Sequence, residues 1–326
     1  MDTYQKLTDS FPELAFQSDV PLADKTYFKL GGPAEILLQT KDEQTIAKLY
    51  KWCTQNKVPV TALGGASNVI VSDDGISGLV LQITNDSCNV ISNESSNENS
   101  AKENNSILKV GAGCKTALLV RQSVDFGLAG LEYFLGVPGT IGGAIYNNAH
   151  YLEDLIGTHV YRVKIANQNG EILWLSQKEC AFGYDSSRFH TSKEIILEVE
   201  FSLTPGPKES SMALIAEATK YRASTQPLGA PSSGCIFQNA PNTPELQDTF
   251  PQYAKNAFVG GGFLIDKAGL KGTKIGGISV SQKHAAFFIN DGTGTAAEVQ
   301  ELIKLVQDTV KKKFGVELKE EVFVLK

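Results

Sequence analysis

The chain has 326 residues, 42% of them hydrophobic and 20% charged, and a net charge of −6. Its length corresponds to about two domains, enough to bury a core without disulfides or metals. The apolar and charged fractions exclude a disordered or fibrous chain, and the acidic balance argues against a nucleic-acid binder, which carries a basic face or arm. The run Lys311-Lys312-Lys313 reads as a solvated helix end. No segment approaches the ~18 apolar residues of a membrane span. The polar start Met1-Asp2-Thr3-Tyr4-Gln5-Lys6 lacks the apolar core of a signal peptide, so a cytoplasmic protein is expected. Five cysteines, an odd number without a CxxC pair, suggest neither a disulfide framework nor a zinc ribbon. The four histidines, His150, His159, His190 and His284, are scattered, and no metal site is expected.

Residues 1–24 are expected to form a helical lead-in, followed by a short strand near Ala34–Gln39. Thr40-Lys41-Asp42-Glu43 has the form of a capping box with Thr40 as N-cap. Ile46, Leu49, Tyr50 and Cys53 then recur at the spacing of one helical face. Val58–Leu63 and Leu79–Ile83 read as strands, the first entering Gly64-Gly65. Residues 84–107 are rich in Asn, Ser and Glu, cannot bury much surface, and read as a mobile insertion at a long hairpin tip. A strand at Leu108–Val110, the turn Gly111-Ala112-Gly113 and a helix ending at Gly127 come next. Val160–Ala166 and Ile172–Leu175 alternate about Asn169-Gly170, a hairpin signal. The strand Ile195–Leu203 is closed by Pro205-Gly206-Pro207, the expected domain boundary, and a helix over 211–222 opens the second half. Thr295-Ala296-Ala297-Glu298 caps a last helix whose face is Val299, Leu302, Ile303, Val306 and Val310; Gly315 stops it, and Glu321–Leu325 is a final strand. Helices and strands mix in both halves, which is an α+β pattern.

Thirty glycines cluster in loops. Leu63-Gly64-Gly65-Ala66-Ser67-Asn68 follows a strand. Gly136-Val137-Pro138-Gly139-Thr140-Ile141-Gly142-Gly143-Ala144 is the second loop, and Leu30-Gly31-Gly32-Pro33-Ala34 the third. Glycine lets backbone N–H groups approach a ligand and form an anion-binding nest, and Ser67, Asn68 and Thr140 add side-chain donors, so a diphosphate suits them. Each loop alone also reads as a tight turn. None is a GxGxxG at the head of a βαβ unit, and no GxxxxGK[ST] occurs, which disfavours a P-loop nucleotidase and a Rossmann dehydrogenase.

An ordered set of motifs carries a resemblance from about Lys25 to Phe323. These are Thr26–Ala34, Leu63–Asp73, Gly130-Leu131-Glu132 running into Gly136–Ala144, Pro231–Asn239, Gly269–Gly272, Val280–His284 and Gly315–Val322. On them the chain resembles the UDP-N-acetylenolpyruvoylglucosamine reductase family. The resemblance implies a vanillyl-alcohol-oxidase-type FAD-binding module in two subdomains plus a C-terminal α+β substrate domain. The corresponding division is a lead-in over 1–24, an FAD-binding domain over 25–206 and a substrate-binding domain over 207–326. It implies noncovalent FAD, NADPH as co-substrate, and reduction of the enolpyruvyl ether of UDP-N-acetylglucosamine to UDP-N-acetylmuramate for peptidoglycan. The short stretch from Tyr184 to Arg222 is similar to the family's shorter type, without an inserted substrate-covering loop.

The resemblance also implies roles for residues. The glycine loops would hold the cofactor: Leu63, Gly64, Gly65, Ala66, Ser67 and Asn68 from the first, and Gly136, Pro138, Gly139, Thr140, Gly142, Gly143 and Ala144 from the second. Cys235 stands where the family places its proton donor, most often serine. Glu321 matches the C-terminal carboxylate beside the enolpyruvyl group, although it lies in the charge run Glu317–Glu321. The family's arginine after Phe-Gly-Tyr is absent: the chain reads Phe182-Gly183-Tyr184-Asp185, and Arg188 is the nearest candidate to take its role, or to form an ion pair with Asp185. Tyr184, Asn239, Lys271 and His284 match substrate-holding positions. Thr225, where lysine is usual, and His150, where glycine is favoured, are further departures. Two other readings stand beside this one. Another FAD-dependent sugar or alcohol oxidoreductase of the same fold would share the first loops but not the motifs at 231–239 and 315–322. A non-enzymatic nucleotide-sugar binder would not need both Cys235 and Glu321.

Overall fold

A computed structural model describes residues 2–91 and 105–326, which form two compact units. The first is built from Met1–Val20, Ala34–Gly65 and Ser77–Arg222, the second from Pro21–Pro33, Ala66–Ile76 and Ala223–Lys326. Each has its own hydrophobic core.

Two sheets organise the first unit. One has the order Gln17–Pro21, Pro33–Thr40, Ile76–Ile83, Val60–Leu63, the last pair parallel. Helix Glu43–Gln55 buries Ile46, Ala47, Leu49, Tyr50 and Cys53, the face that the sequence periodicity marks. The other sheet is antiparallel, in the order Ile172–Ser176, Val160–Ala166, Ile195–Pro205, Ser106–Gly111, Cys88–Ile91. Its long central strand alternates Leu197, Val199, Phe201 and Leu203, which lie in the core, with Glu198 and Glu200. Those two glutamates are also buried, so they need partners. Glu198 pairs with Lys109 at 3.0 Å and Lys164 at 2.9 Å, and Glu200 with Arg162 at 2.7 Å.

In the second unit, helix Ala296–Phe314 turns Val299, Leu302, Ile303, Val306 and Val310 into the core, with the full Thr295/Glu298 capping box and Gly315 left-handed at φ 71°. The carboxylate of Asp73 accepts from Ala296 N at 2.8 Å and Ala297 N at 2.9 Å, a second brace at that helix start. Strand Phe323–Leu325 runs parallel to Val69–Val71. The third glycine loop is a packing device here. A Cβ on Gly31 would come within 2.5 Å of Val71 Cβ, so the loop can press against the 71–75 turn only with glycine there.

Several expectations need correction. The lead-in is α-helical only over Thr3–Ser10, with a 3-10 turn at Ala23–Lys25; Gln17–Pro21 joins a sheet edge. The second helix is capped by Asp42, whose side chain accepts from Thr45 N, because that carboxylate outcompetes Thr40 two residues earlier. Within 84–107, Cys88–Ile91 is a strand paired with Ser106–Gly111, and the rest of that insertion, 92–104, lies outside the described residues. The first compact unit does not end at Pro205-Gly206-Pro207. The proline pair only turns the chain into helix Lys208–Thr225, and the unit continues to Arg222; segments 21–33 and 66–76 group with the second.

Candidate active site

The first glycine loop divides between the units, Leu63–Gly65 in the first and Ala66–Asn68 in the second. Within the first unit, Gly64 and Gly65 lie against the second loop. A Cβ on Gly64 would strike Thr140 Oγ1, and one on Gly65 would come within 2.6 Å of Gly139 Cα. Thr140 precedes helix Ile141–Tyr146 without capping it, and its hydroxyl is buried with no hydrogen-bond partner among the described residues. A buried hydroxyl left so costs about 1–3 kcal/mol, which a ligand acceptor would recover. The nest is narrower than the loop's glycines suggest. The N–H groups of Ile141 and Gly142 are already given to the carbonyls of Cys114 and Ala112, at 2.9 and 2.8 Å. Exposed Gly143 is open: nothing lies within 4 Å of its Cβ position. Gly136 is gripped by buried Arg222, whose Nη1 donates to its carbonyl at 3.0 Å and whose guanidinium lies 4.7 Å from the Tyr151 ring centre. These features fit an elongated diphosphate-bearing cofactor.

The chain leaves this loop through a second framework. Buried Asn148, left-handed at φ 49°, donates to the Gly183 carbonyl at 2.7 Å and accepts from Gly157 N at 2.9 Å. Ser187 Oγ donates to the Tyr146 carbonyl at 2.6 Å, and the His190 and Tyr146 rings lie 4.7 Å apart. The stretch 182–190 is thereby stitched to 146–150. The Tyr184 ring packs 4.9 Å from that of His150. Asp185 is buried, and its carboxylate lies 3.0 Å from His150 Nδ1 without an aligned hydrogen bond. Arg188 does not pair with Asp185. Its Nη2 lies 3.0 Å from the Glu194 carboxylate and its Nη1 donates to the Glu179 carbonyl at 3.2 Å.

In the second unit, Ile236 N donates to the Ala286 carbonyl and Glu321 N to the Ile236 carbonyl, both at 2.8 Å. Bridges pair Cys235 with Phe287 and Phe237 with Glu320. The ladder therefore puts Cys235 and Glu321 on adjacent segments although they are far apart in sequence. Asn68 joins them: its Nδ2 donates to the Glu321 carbonyl and its own carbonyl accepts from Phe323 N, each at 3.1 Å. Glu317, Lys319 and Glu320 are exposed, as a charge run usually is, whereas Glu321 is half-buried. Burial pushes the thiols of Cys53, Cys88 and Cys180 up to about 12 and that of Cys114 up to about 11, so these four are protonated bystanders. Cys235 is half-exposed. Three residues earlier, the buried Ser232 hydroxyl has no hydrogen-bond partner among the described residues.

Asn239 and His284 lie near the start of helix Gly261–Lys267, and Lys271 follows its end. Asn239 Oδ1 accepts from Gly261 N at 3.3 Å, and a Cβ on Gly262 would lie 3.0 Å from His284 Cε1. Burial first, and the Lys271 charge second, hold His284 below its ordinary value, so it is neutral near pH 7. Lys271 pairs with Asp266 at 3.0 Å. Arg222, Asn148, Asp73 and Ser232 were not singled out from sequence for the parts they play. Only Arg222 carried a usable signal, a lone arginine beside Tyr221 near the end of helix Lys208–Thr225.

The FAD binding domain family matches residues 34–176, and the C-terminal domain family of UDP-N-acetylenolpyruvoylglucosamine reductase matches 226–325. The chain is 33% identical over 324 residues to the UDP-N-acetylenolpyruvoylglucosamine reductase of Staphylococcus aureus strain COL, covering 99% of this chain and 96% of that one. It is similar to the crystal structure of UDP-N-acetylenolpyruvylglucosamine reductase from Thermus caldophilus, with TM-score 0.72, 27% identity, and 96% and 99% of the two chains covered. A VAO-type flavoprotein from Myceliophthora thermophila shares the fold, with TM-score 0.59 at 10% identity over 95% of this chain and 84% of that one. Among the described residues, no helix is long and apolar enough to cross a membrane. The chain belongs to the UDP-N-acetylenolpyruvoylglucosamine reductase family and is an FAD-containing oxidoreductase of α+β, VAO-type fold.

Proposed function

We propose that this chain reduces the enolpyruvyl ether of UDP-N-acetylglucosamine to UDP-N-acetylmuramate with NADPH, in the cytoplasmic synthesis of peptidoglycan precursors. We assign cofactor binding to the first unit and most substrate contacts to the second. FAD, when bound, would supply hydride transfer between NADPH and the methylene carbon of the enolpyruvyl group. Gly64, Gly65, Gly139, Thr140 and Gly143 hold the diphosphate of the cofactor, with the Thr140 hydroxyl as one donor. Cys235 delivers the proton: its S–H protonates the carbon that bears the carboxylate, so one hydride and one proton add across one double bond. A thiol with its usual pKa of ~8.5 is mostly protonated at neutral pH and is a far stronger acid than an alcohol. Glu321, in its protonated form, donates to the enolate oxygen that develops on the substrate carboxylate. Tyr184, Asn239, Lys271 and neutral His284 hold the substrate, the Lys271 ammonium facing its diphosphate. Arg188 can neutralise the carboxylate only by leaving Glu194.

The observation that carries this reading is the backbone ladder joining the Cys235 and Glu321 segments. Anaerobic NADPH oxidation tests it. With the enolpyruvyl ether present, NADPH consumption continues through many turnovers; without it, consumption stops once the bound flavin is reduced. Consumption indifferent to the ether contradicts the proposal.

A further inference from the structure

Helix Lys208–Thr225 buries Ser211, Ile215, Ala218 and Arg222, whose spacing makes one stripe along its length. The middle of the stripe is apolar and its two ends are polar. Buried polar side chains need partners, and both ends find them on the short 3-10 helix Glu132–Gly136. Ser211 Oγ donates to the buried Glu132 carboxylate at 2.6 Å, whose other oxygen accepts from Gly130 N at 2.8 Å. Arg222 Nη1 donates to the Gly136 carbonyl at 3.0 Å. The long helix thus grips the short one at its first and last residues, all within the first unit.

Gly136 is also where the second glycine loop begins. The exit of that loop is held by main chain: Ile141 N and Gly142 N donate to Cys114 and Ala112, and Thr116 N donates to the Gly139 carbonyl at 3.2 Å. At the entry the hold is a side chain. A Cβ on Gly136 would lie 2.5 Å from Arg222 Cδ and 2.9 Å from its Nε, so the arginine stem packs on the bare Cα. The guanidinium lies 4.7 Å from the Tyr151 ring centre, and Tyr151 stacks at 5.4 Å on Tyr133 of the same 3-10 helix. A hydrogen bond and an aromatic face therefore fix this cation together. Lysine could supply the charge but not the planar group that meets both.

We propose that Arg222 is a positioning residue for the cofactor, setting the entry of the second glycine loop through Gly136 so that the Thr140 hydroxyl and the Gly143 backbone are already placed for the FAD diphosphate. The inference rests on the assignment of the diphosphate to this loop made above. Arg222 acts through the loop and not as a charge on the diphosphate. A loop held in its binding conformation before the ligand arrives gains affinity because less ordering remains to be done.

Dilution of the FAD-loaded enzyme, read by flavin fluorescence, gives the FAD dissociation constant, and stopped-flow with NADPH gives the flavin reduction rate at saturating FAD. In Arg222→Met the dissociation constant rises about 10–100-fold, the scale of one hydrogen bond to a charged group, while the reduction rate is kept. Arg222→Lys is weakened nearly as much. Gly136→Ala, which pushes the arginine aside, weakens binding alike, and combining it with Arg222→Met costs little more, since both break one contact. Thr140→Val, which removes the loop's own donor, also weakens binding. Wild-type affinity in Arg222→Met beside a weakened Thr140→Val overturns the inference, even if the melting temperature falls. Full affinity in Arg222→Lys overturns it by making the arginine a bare charge, and so do additive losses in the double variant. Unchanged affinity in Thr140→Val overturns the placement of the diphosphate itself, and the inference with it.

Discussion

Cys235 shares its hydrogen-bonded neighbourhood with Glu321, and the two make different demands on the protein. As proton donor, Cys235 must offer an acidic hydrogen at a fixed place. Cys235→Ala is expected to slow reoxidation of reduced flavin by substrate by about 10²–10⁴-fold, the usual contribution of a positioned general acid, and to leave reduction by NADPH intact. Cys235→Ser keeps much more of the rate, since a hydroxyl stays in the same place. Anaerobic single-turnover traces of both variants decide it; equal rates near wild type would remove the thiol from the mechanism. If Glu321 acts as a protonated donor, Glu321→Ala should retain substrate affinity while lowering the rate of the same half-reaction, and Glu321→Gln, whose amide still donates, should lose less. A lower affinity with an unchanged rate would make Glu321 a binding residue only.

At the scale of elements, helix Ala296–Phe314 begins with three braces: Thr295, Glu298 and the Asp73 carboxylate from a distant segment. Asp73→Ala removes two charge-assisted hydrogen bonds at the positive end of a long helix. The expected loss is about 1–2 kcal/mol, read as a lower urea midpoint with an unchanged slope. An unchanged midpoint would mean that the capping box suffices. The helix itself was fully legible in sequence, because period, N-cap and C-terminal glycine all act within one stretch. Asp73 was not, since a brace from more than two hundred residues away leaves no local pattern. The same distinction explains the cap at Asp42. Thr40 and Asp42 are both good N-caps by type, and only the path of the chain out of strand Pro33–Thr40 decides between them.

For the whole molecule, two imidazoles make stability depend on pH. His190 and His284 are each held below their ordinary value, chiefly by burial. The unfolded chain therefore binds protons that the folded chain refuses as pH drops below about 6.5. Stability from these residues is intact above that pH and is lost on going lower, through the depressed folded values. Melting temperature should fall between about pH 7 and pH 5, less steeply in His190→Gln. An identical slope in that variant would show that other groups control the acid limb.

The α+β class and the ordered motifs were legible because each rests on a contiguous run. The two-unit division was not. Segment 66–76 returns to the second unit through strand pairing between Val69–Val71 and Phe323–Leu325, and segment 21–33 through Asn290 Nδ2 donating to the Phe28 carbonyl, contacts that no local signal announces. The glycine loops were legible as loops, whereas the commitment of the Ile141 and Gly142 N–H groups to Cys114 and Ala112, respectively, was not. Arg188 illustrates the limit most clearly. Its type and its distance from Tyr184 suited a catalytic cation, and only the fold revealed Glu194 beside it.

The central claim is that this chain passes reducing equivalents from NADPH to an enolpyruvyl ether. Its most direct test is an anaerobic titration of the purified, FAD-loaded protein. One equivalent of NADPH should bleach the flavin absorbance. One equivalent of the enolpyruvyl ether of UDP-N-acetylglucosamine should then restore it, with UDP-N-acetylmuramate formed in equal amount. Flavin that stays bleached until oxygen is admitted would contradict the account.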